Sequence, residues 1–203
     1  MREQRHLYLS HNCKMIRILA LFAALSCSLA LNAQDTTEVA EPTQPSFMST
    51  ELEAGPVLNS IQLDRQKWFY SMDEAMRQPD KVYKLSLTKE KLKAFPYDLT
   101  RLKNLQVLNL SGNKIKEIPG QIAELPNLQI VILTNNKIRS LPDEMSELEN
   151  LEALYLGNNN LAAMPGWIGG LSKLRKLDLS YNQLSEYEIG LVRYRLPRCD
   201  VSH

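Results

Sequence analysis

Few side chains in this sequence are of the types that carry out chemistry in proteins, and their spacing builds no reactive site. Of the three histidines, His6 and His11 stand near the start and the third is the final residue. A His-based catalytic triad and the usual zinc or haem ligand sets therefore cannot be assembled. The stretch SGNK at 111–114 lacks the glycines and the GK[ST] ending of a phosphate loop. Glu152 and Asp178 are acids on an expected exposed sheet face, so we predict no enzyme, no metal and no cofactor.

The polar group that does recur at a fixed spacing is an asparagine amide. In LQVLNLSGNKIKEIP, residues 105–119, Asn113 stands where the rhythm of leucines and isoleucines breaks, and Asn136, Asn159 and Asn182 follow at steps of 23 residues. An amide both donates and accepts hydrogen bonds. We therefore predict that these four residues form a structural ladder, which satisfies backbone groups at the bend that follows each strand.

The apolar residues keep the same 23-residue period, which places five repeats in residues 82–184. Three positions of each repeat carry the strand pattern, as in Leu105, Leu108 and Leu110, and a proline column follows: Pro96, Pro119, Pro142 and Pro165. The first repeat departs from the pattern, with Glu90 in place of the Asn. A fixed period of this length indicates a solenoid, in which neighbouring units stack to bury a continuous core.

The frame LxxLxLxxNxL, followed by a more variable segment, resembles the leucine-rich repeat family. The resemblance implies an α/β repeat solenoid with a parallel β-sheet on the concave side and short helical or irregular segments on the convex side. Side-chain alternation supports the same arrangement, because the two leucines of L-x-L share one face of a strand and the residue between them lies on the other. The leucines are therefore expected inside.

Helical caps are expected at both ends of the repeats, an N-terminal one at 61–81 and a C-terminal one at 185–203. Each contains a serine followed three residues later by a glutamate, beginning at Ser71 and at Ser185, which is the spacing of a capping box. Residues 34–60 lack apolar periodicity and carry prolines, threonines and acids. They are predicted to be a flexible linker.

Residues 1–33 have the pattern of a secretory signal peptide, with a basic start, an apolar run at 18–31 and the small residue Ala33 at its end. Met15 is a second candidate for the true start. We therefore expect a secreted protein of bacterial type, exported to the periplasm or the extracellular space. The alternative is an outer-surface lipoprotein anchored through Cys27, and only that case gives a membrane partner.

The outward strand positions form two columns, each with one residue per repeat. The columns are Ser86, Asn109, Ile132, Tyr155, Asp178 and, two residues earlier, Lys84, Val107, Ile130, Ala153, Lys176. The core does not need these side chains, and an apolar centre with a polar rim is typical of interaction patches. The predicted ligand-binding residues of the concave face are Val107, Asn109, Ile130, Ile132, Tyr155, Lys176 and Asp178.

The function predicted from these residues is non-enzymatic protein–protein recognition through the concave face. One alternative is a cell-envelope glycan-binding module, in which Tyr155 and Tyr181 would act beside Asn109, Asn135 and Asn158. Another is a purely structural spacer, and a binding role of Trp68 in the N-terminal cap is a further alternative. The balance of 24 basic and 23 acidic residues gives no reason to expect nucleic acid.

Overall fold

The computed structural model describes residues 54–203. This part of the chain forms one seven-stranded parallel sheet, in which the strands follow each other in chain order. The strands are β1 (Trp68–Phe69), β2 (Lys84–Ser86), β3 (Val107–Asn109), β4 (Ile130–Ile132), β5 (Ala153–Tyr155), β6 (Lys176–Asp178) and β7 (Asp200–Ser202). The predicted signal peptide, Cys27 and most of the predicted linker lie outside the described residues.

The sheet register follows the 23-residue period. Leu85 pairs with Leu108, and the column continues through Val131, Leu154 and Leu177. All five side chains are fully buried. Residues on either side of them face away from this core, as the alternation of strand side chains requires. The prediction of a leucine-rich repeat solenoid with a parallel sheet is confirmed.

The return segments of the repeats are short 3₁₀ helices. Each begins directly after a residue of the proline column, which is the last extended residue before the helix. The bounds are Tyr97–Arg101, Gly120–Glu124, Asp143–Glu147 and Gly166–Gly170. One side chain of each inserts into the core: Leu99, Ile122, Met145 and Ile168.

Both ends of the repeat array carry α-helices and one extra strand each. The helices are α1 (Ser60–Asp64), α2 (Met72–Arg77) and α3 (Glu186–Arg195), and a 3₁₀ turn occupies Pro79–Lys81. Ser71 and Ser185 accept hydrogen bonds from the backbone of Glu74 and Glu188, which caps the start of α2 and α3. The end strands β1 and β7 stand outside the repeat period, so the period does not predict them.

The recurring asparagines bridge neighbouring repeats. Asn159 Nδ2 donates to the carbonyl oxygens of Leu133 and Leu156 at 3.0 and 2.8 Å, and its Oδ1 accepts from the Ile138 amide at 3.0 Å. Equivalent sets of bonds belong to Asn113, Asn136 and Asn182. Each amide thus links the strand end of its own repeat to the repeat before it.

The residue before each ladder position has a left-handed backbone. The φ angles are 61° at Lys89, 71° at Gly112, 58° at Asn135, 55° at Asn158 and 57° at Tyr181. Gly and Asn adopt this conformation most readily, whereas a bulky side chain there is unusual. Tyr181 is therefore the member of this column whose residue type the backbone geometry disfavours most clearly.

Residues 55–58 form an ordered strap rather than the end of a flexible linker. Gln106 Oε1 accepts from the Leu58 amide at 3.0 Å, and Gln129 Nε2 donates to the Leu58 carbonyl at 2.7 Å. Asn127 Nδ2 donates to the Gly55 carbonyl at 2.8 Å. The flexible-linker prediction for 34–60 is therefore corrected for this final stretch, because buried amides of the second and third repeats hold its backbone.

Candidate functional site

A groove on the outward face of the sheet is the first candidate site. Its volume is about 470 Å³, and we call it the first groove. It is lined by Leu63, Asp64, Trp68, Lys84, Val107, Ile130, Ile132, Thr134 and Tyr155. This volume lies in the range of specific binding sites, which are mostly apolar with a few polar groups.

The floor of the first groove is apolar and belongs to the sheet. Val107 pairs with Ile130, and Ile132 pairs with Tyr155 on the neighbouring strands. Their side chains face away from the leucine core because they alternate with Leu108, Val131 and Leu154. These four side chains are the apolar floor. Val107 is buried, and the half-buried Ile130, Ile132 and Tyr155 leave hydrophobic surface open to a ligand.

The wall of the first groove comes from the N-terminal end of the described chain. The strap leads directly into α1, which begins after Asn59. A full capping box fixes that start, since Asn59 Oδ1 accepts from the Gln62 amide and Gln62 Oε1 accepts from the Asn59 amide. Leu63 is buried, and it lines the groove together with Asp64. The hydrogen bonds between the strap and repeats two and three therefore hold this wall beside the sheet.

Lys84 stands at one end of the apolar floor, where β2 pairs with Val107 of β3. Its side chain is only 6% exposed. The ammonium donates to the Asp64 carbonyl oxygen at 3.2 Å and lies 5.3 Å from the centre of the Trp68 ring. Within residues 54–203 the lysine–carboxylate ion pairs are Lys67–Glu74 and Lys103–Glu124, so Lys84 has no carboxylate partner in this part of the chain.

The opposite end of the same column carries Lys176. Its ammonium lies 5.8 Å from the centre of the Tyr155 ring, and its backbone is on β6. Asp178, two residues later, is held by its own surroundings, since its Oδ1 accepts from the Ser180 amide at 3.0 Å and from the Ser180 hydroxyl at 2.7 Å. The apolar floor thus lies between two lysines.

A second groove, of about 490 Å³, lies next to the first one along the sheet face. It is lined by Thr134, Asn135, Gly157, Asn158, Asp178, Ser180 and Tyr181. Asn158 Nδ2 donates to Asn135 Oδ1 at 2.6 Å, and Tyr181 is 86% exposed. Gly157 leaves room for the Asp178 carboxylate, because a Cβ there would meet Asp178 Oδ2 at 2.7 Å. Amides, hydroxyls, the Asp178 carboxylate and one aromatic ring therefore surround this groove.

The titratable groups with shifted pKa lie away from both grooves. Burial raises the pKa of the Cys199 thiol, and the nearby Asp200 charge raises it further. The hydrogen bond from Lys67 lowers the pKa of the exposed Glu74 carboxyl. In the described part of the chain, no group of three His, Cys, Asp or Glu side chains could hold a metal ion.

Five of the seven predicted binding residues line a groove, and Asn109 and Lys176 line neither. Val107, Ile130, Ile132 and Tyr155 meet in the first groove, whereas Asp178 lines the second. Asn109 lines neither groove, and its Oδ1 accepts from the Ser111 amide at 3.0 Å. The two tyrosines of the glycan alternative are also apart, because Tyr155 belongs to the first groove and Tyr181 to the second.

The groove residues outside the prediction are Leu63, Asp64, Lys84 and Thr134, and Trp68 was considered only as an alternative. Lys84 belongs to one of the two outward columns, so the 23-residue period predicts its place on the outward face of the sheet. The wall could not be derived in that way, because α1 precedes the repeats and reaches the sheet through tertiary hydrogen bonds.

Across residues 54–203, no helix combines the length and apolar character needed to cross a membrane.

Comparison with known proteins supports the repeat assignment. A family profile described as "Leucine rich repeat" matches residues 126–184, and one described as "Leucine Rich repeats (2 copies)" matches residues 103–147. No curated protein matches the chain.

Among solved structures, the chain is similar to a leucine-rich repeat protein of Leptospira interrogans. The identity is 36% and the TM-score 0.61, over 67% of this chain and 35% of that one. An internalin of Listeria monocytogenes matches at 24% identity and TM-score 0.45, over 60% and 33% of the two chains. The BIR3–SERK2 complex of Arabidopsis thaliana matches at 37% identity and TM-score 0.47, over 50% and 57%. The chain thus spans about a third of the length of the leptospiral protein.

Proposed function

We propose that this chain, which is a leucine-rich repeat protein, recognises another protein through the first groove. The observation that carries the proposal is the apolar floor, in which Ile130, Ile132 and Tyr155 are half-buried and Val107 is buried, although the leucine core uses none of the four. Surface of this kind, rimmed by polar groups, marks interaction sites rather than ordinary solvated surface. In this proposal the chain binds its partner and does not act as an enzyme.

The size of the first groove sets the strength of contact that we expect. A floor of four side chains and one short helical wall is small compared with the interfaces of permanent complexes. A partner bound only here would therefore form a transient complex, and further contacts would be needed for a permanent one. The leader pattern at 1–33 supports export, so we propose that the partner belongs to the cell envelope or the extracellular space.

The test is a capture experiment with the immobilised chain and envelope or extracellular material. The variant is Ile132→Asp with Tyr155→Asp, which places two charges on the apolar floor. Its matched control is Asn160→Asp with Gln183→Asp, which adds the same charge at two exposed residues that line neither groove. Circular dichroism must be unchanged in both variants before the capture is compared.

We expect the native chain and the control to retain a partner that the floor variant loses. Capture of the same species by the floor variant would place binding elsewhere. Capture of nothing by any of the three would favour a structural spacer.

Glycan binding is a second candidate, and the second groove is what favours it. Amides, hydroxyls and an exposed aromatic ring suit a polar ligand with apolar ring faces. Tyr181→Ala should then abolish binding to a neutral envelope polysaccharide, and that binding should depend little on salt, because a neutral glycan forms no charge pair with Asp178. Ile132→Asp should leave that binding unchanged, which separates the two candidates.

A further inference from the structure

Lys84 is a buried cation that is incompletely satisfied by the described chain. An ammonium has three donors, and within residues 54–203 this one donates a single hydrogen bond, to the Asp64 carbonyl oxygen. The contact with the Trp68 ring offsets part of the cost of burial. A buried charge is normally paired, because its desolvation is expensive otherwise.

The position of Lys84 links this charge to the apolar floor. It lines the first groove, and its neighbour across the sheet is Val107. Adjacent strands are about 4.8 Å apart, so Ile130, which is two strands away, lies about 10 Å from Lys84 along the column. A ligand group bound to the ammonium would therefore have its next atoms over the apolar floor.

The other charges around Lys84 do not replace such a ligand. Asp64 is exposed, and its carbonyl rather than its carboxylate meets the ammonium. Lys176 and Asp178 lie four strands away from β2, where Asp178 Oδ1 is already bonded by Ser180. Asp64 lines the same groove, so the group that a ligand carboxylate complements is the Lys84 ammonium itself, to which the Asp64 side chain is not bonded.

We propose that the first groove binds a peptide segment of its partner in which an Asp or Glu carboxylate pairs with Lys84. A large apolar side chain within about three residues of that acid covers the apolar floor, since an extended chain advances about 3.3 Å per residue. This inference rests on the proposed function, and it specifies the chemistry of the partner.

The probe is obtained by selecting a random-peptide phage library on the full chain, with counter-selection on the Ile132→Asp, Tyr155→Asp variant. Selected peptides should share an acid close to a large apolar residue. One such peptide and its analogue, in which the amide Gln or Asn replaces the acid, are then titrated by calorimetry against three proteins. These are the native chain, Lys84→Met, and the control Lys137→Met, which removes an exposed lysine that does not line the groove.

The four combinations of peptide and Lys84 variant form a double-mutant cycle, which separates recognition from structure. If Lys84 only supports α1 through the Asp64 carbonyl, Lys84→Met weakens both peptides by the same factor. Recognition of the acid instead makes the two changes interdependent. We expect the amide analogue to bind the native chain and Lys137→Met about tenfold more weakly than the acid, and the difference to shrink to about twofold in Lys84→Met.

Three results would overturn the inference. Selected peptides without an acid, or an acid preference that persists in Lys84→Met, would show that Lys84 is not the anchor while leaving groove binding intact. A library that yields no peptide whose binding depends on the apolar floor would count against the proposed function itself. The role of Lys84 in binding a carboxylate would then also be contradicted.

Discussion

At the residue scale, a single amide type solves a problem that every repeat creates. The chain turns away from the sheet at the end of each strand, so backbone groups there lose their ladder partners. In four of the five repeats one asparagine supplies two donors and one acceptor in the same geometry each time. The side chain therefore has a fixed structural task, which explains why it recurs without facing either groove.

We expect Asn159→Ala to lower the free energy of unfolding by about 2–4 kcal/mol, because two carbonyl oxygens and one amide would lose their partner in a buried place. Asn182→Ala should cost less, since Asn182 is only partly buried and water can replace the amide. Urea unfolding measures both values, with Asn160→Ala as the exposed control. Equal losses for Asn159 and Asn182 would contradict the role of burial.

The residue scale also shows where prediction from sequence ends. The ladder asparagines and the apolar floor could be placed from the period alone, because stacking repeats put equivalent residues in register. Lys84 is in the same register, but its burial depends on Trp68 and α1, which are outside the repeats. A period describes what neighbouring units share, so it carries no information about a segment that folds back onto them.

At the element scale, the strap is the least expected feature of the fold. Its residues have no apolar periodicity, and their order comes from side chains about 50–70 positions later in the chain. Gln106 is fully buried and Gln129 nearly so, although both are polar. Two buried glutamines at equivalent repeat positions are a signal that could have indicated an added backbone segment, because buried amides require partners.

We expect Gln106→Met to loosen the strap while the repeats stay folded. The Leu58 amide would lose its acceptor, and the Pro56 carbonyl would lose the Gln106 amide donor at 3.2 Å. Hydrogen exchange at Leu58 should become about tenfold faster or more, as expected for a local opening.

The control for the strap is Gln121→Met, which changes an exposed glutamine on a return segment. Exchange at Leu133, whose amide donates within the sheet region, should remain the same in both variants. Unchanged exchange at Leu58 in Gln106→Met would show that other contacts are sufficient to hold the strap.

At the scale of the whole molecule, a parallel sheet with seven strands has two edges. One edge is β1, which is only two residues long, and short edge strands offer little to pair with. The other is β7, which covers β6 through bonds from the Asp200 amide to the Arg175 carbonyl and from the Leu179 amide to the Ser202 carbonyl. Val201 is buried between these contacts and joins the core.

Val201→Asp should detach β7 and expose the backbone of β6. The variant would lose the buried apolar side chain and would place a charge against the core, so we expect a loss of about 2–3 kcal/mol in the free energy of unfolding. The uncovered strand could then pair with a second copy, and sedimentation velocity should detect a dimer fraction that increases with protein concentration.

Tyr194→Asp, which adds the same charge on the exposed side of α3, should remain as monodisperse as the native chain. A destabilised but monodisperse Val201→Asp would show that α3 protects this end without β7, because α3 also contributes Ile189 and Val192 to the core.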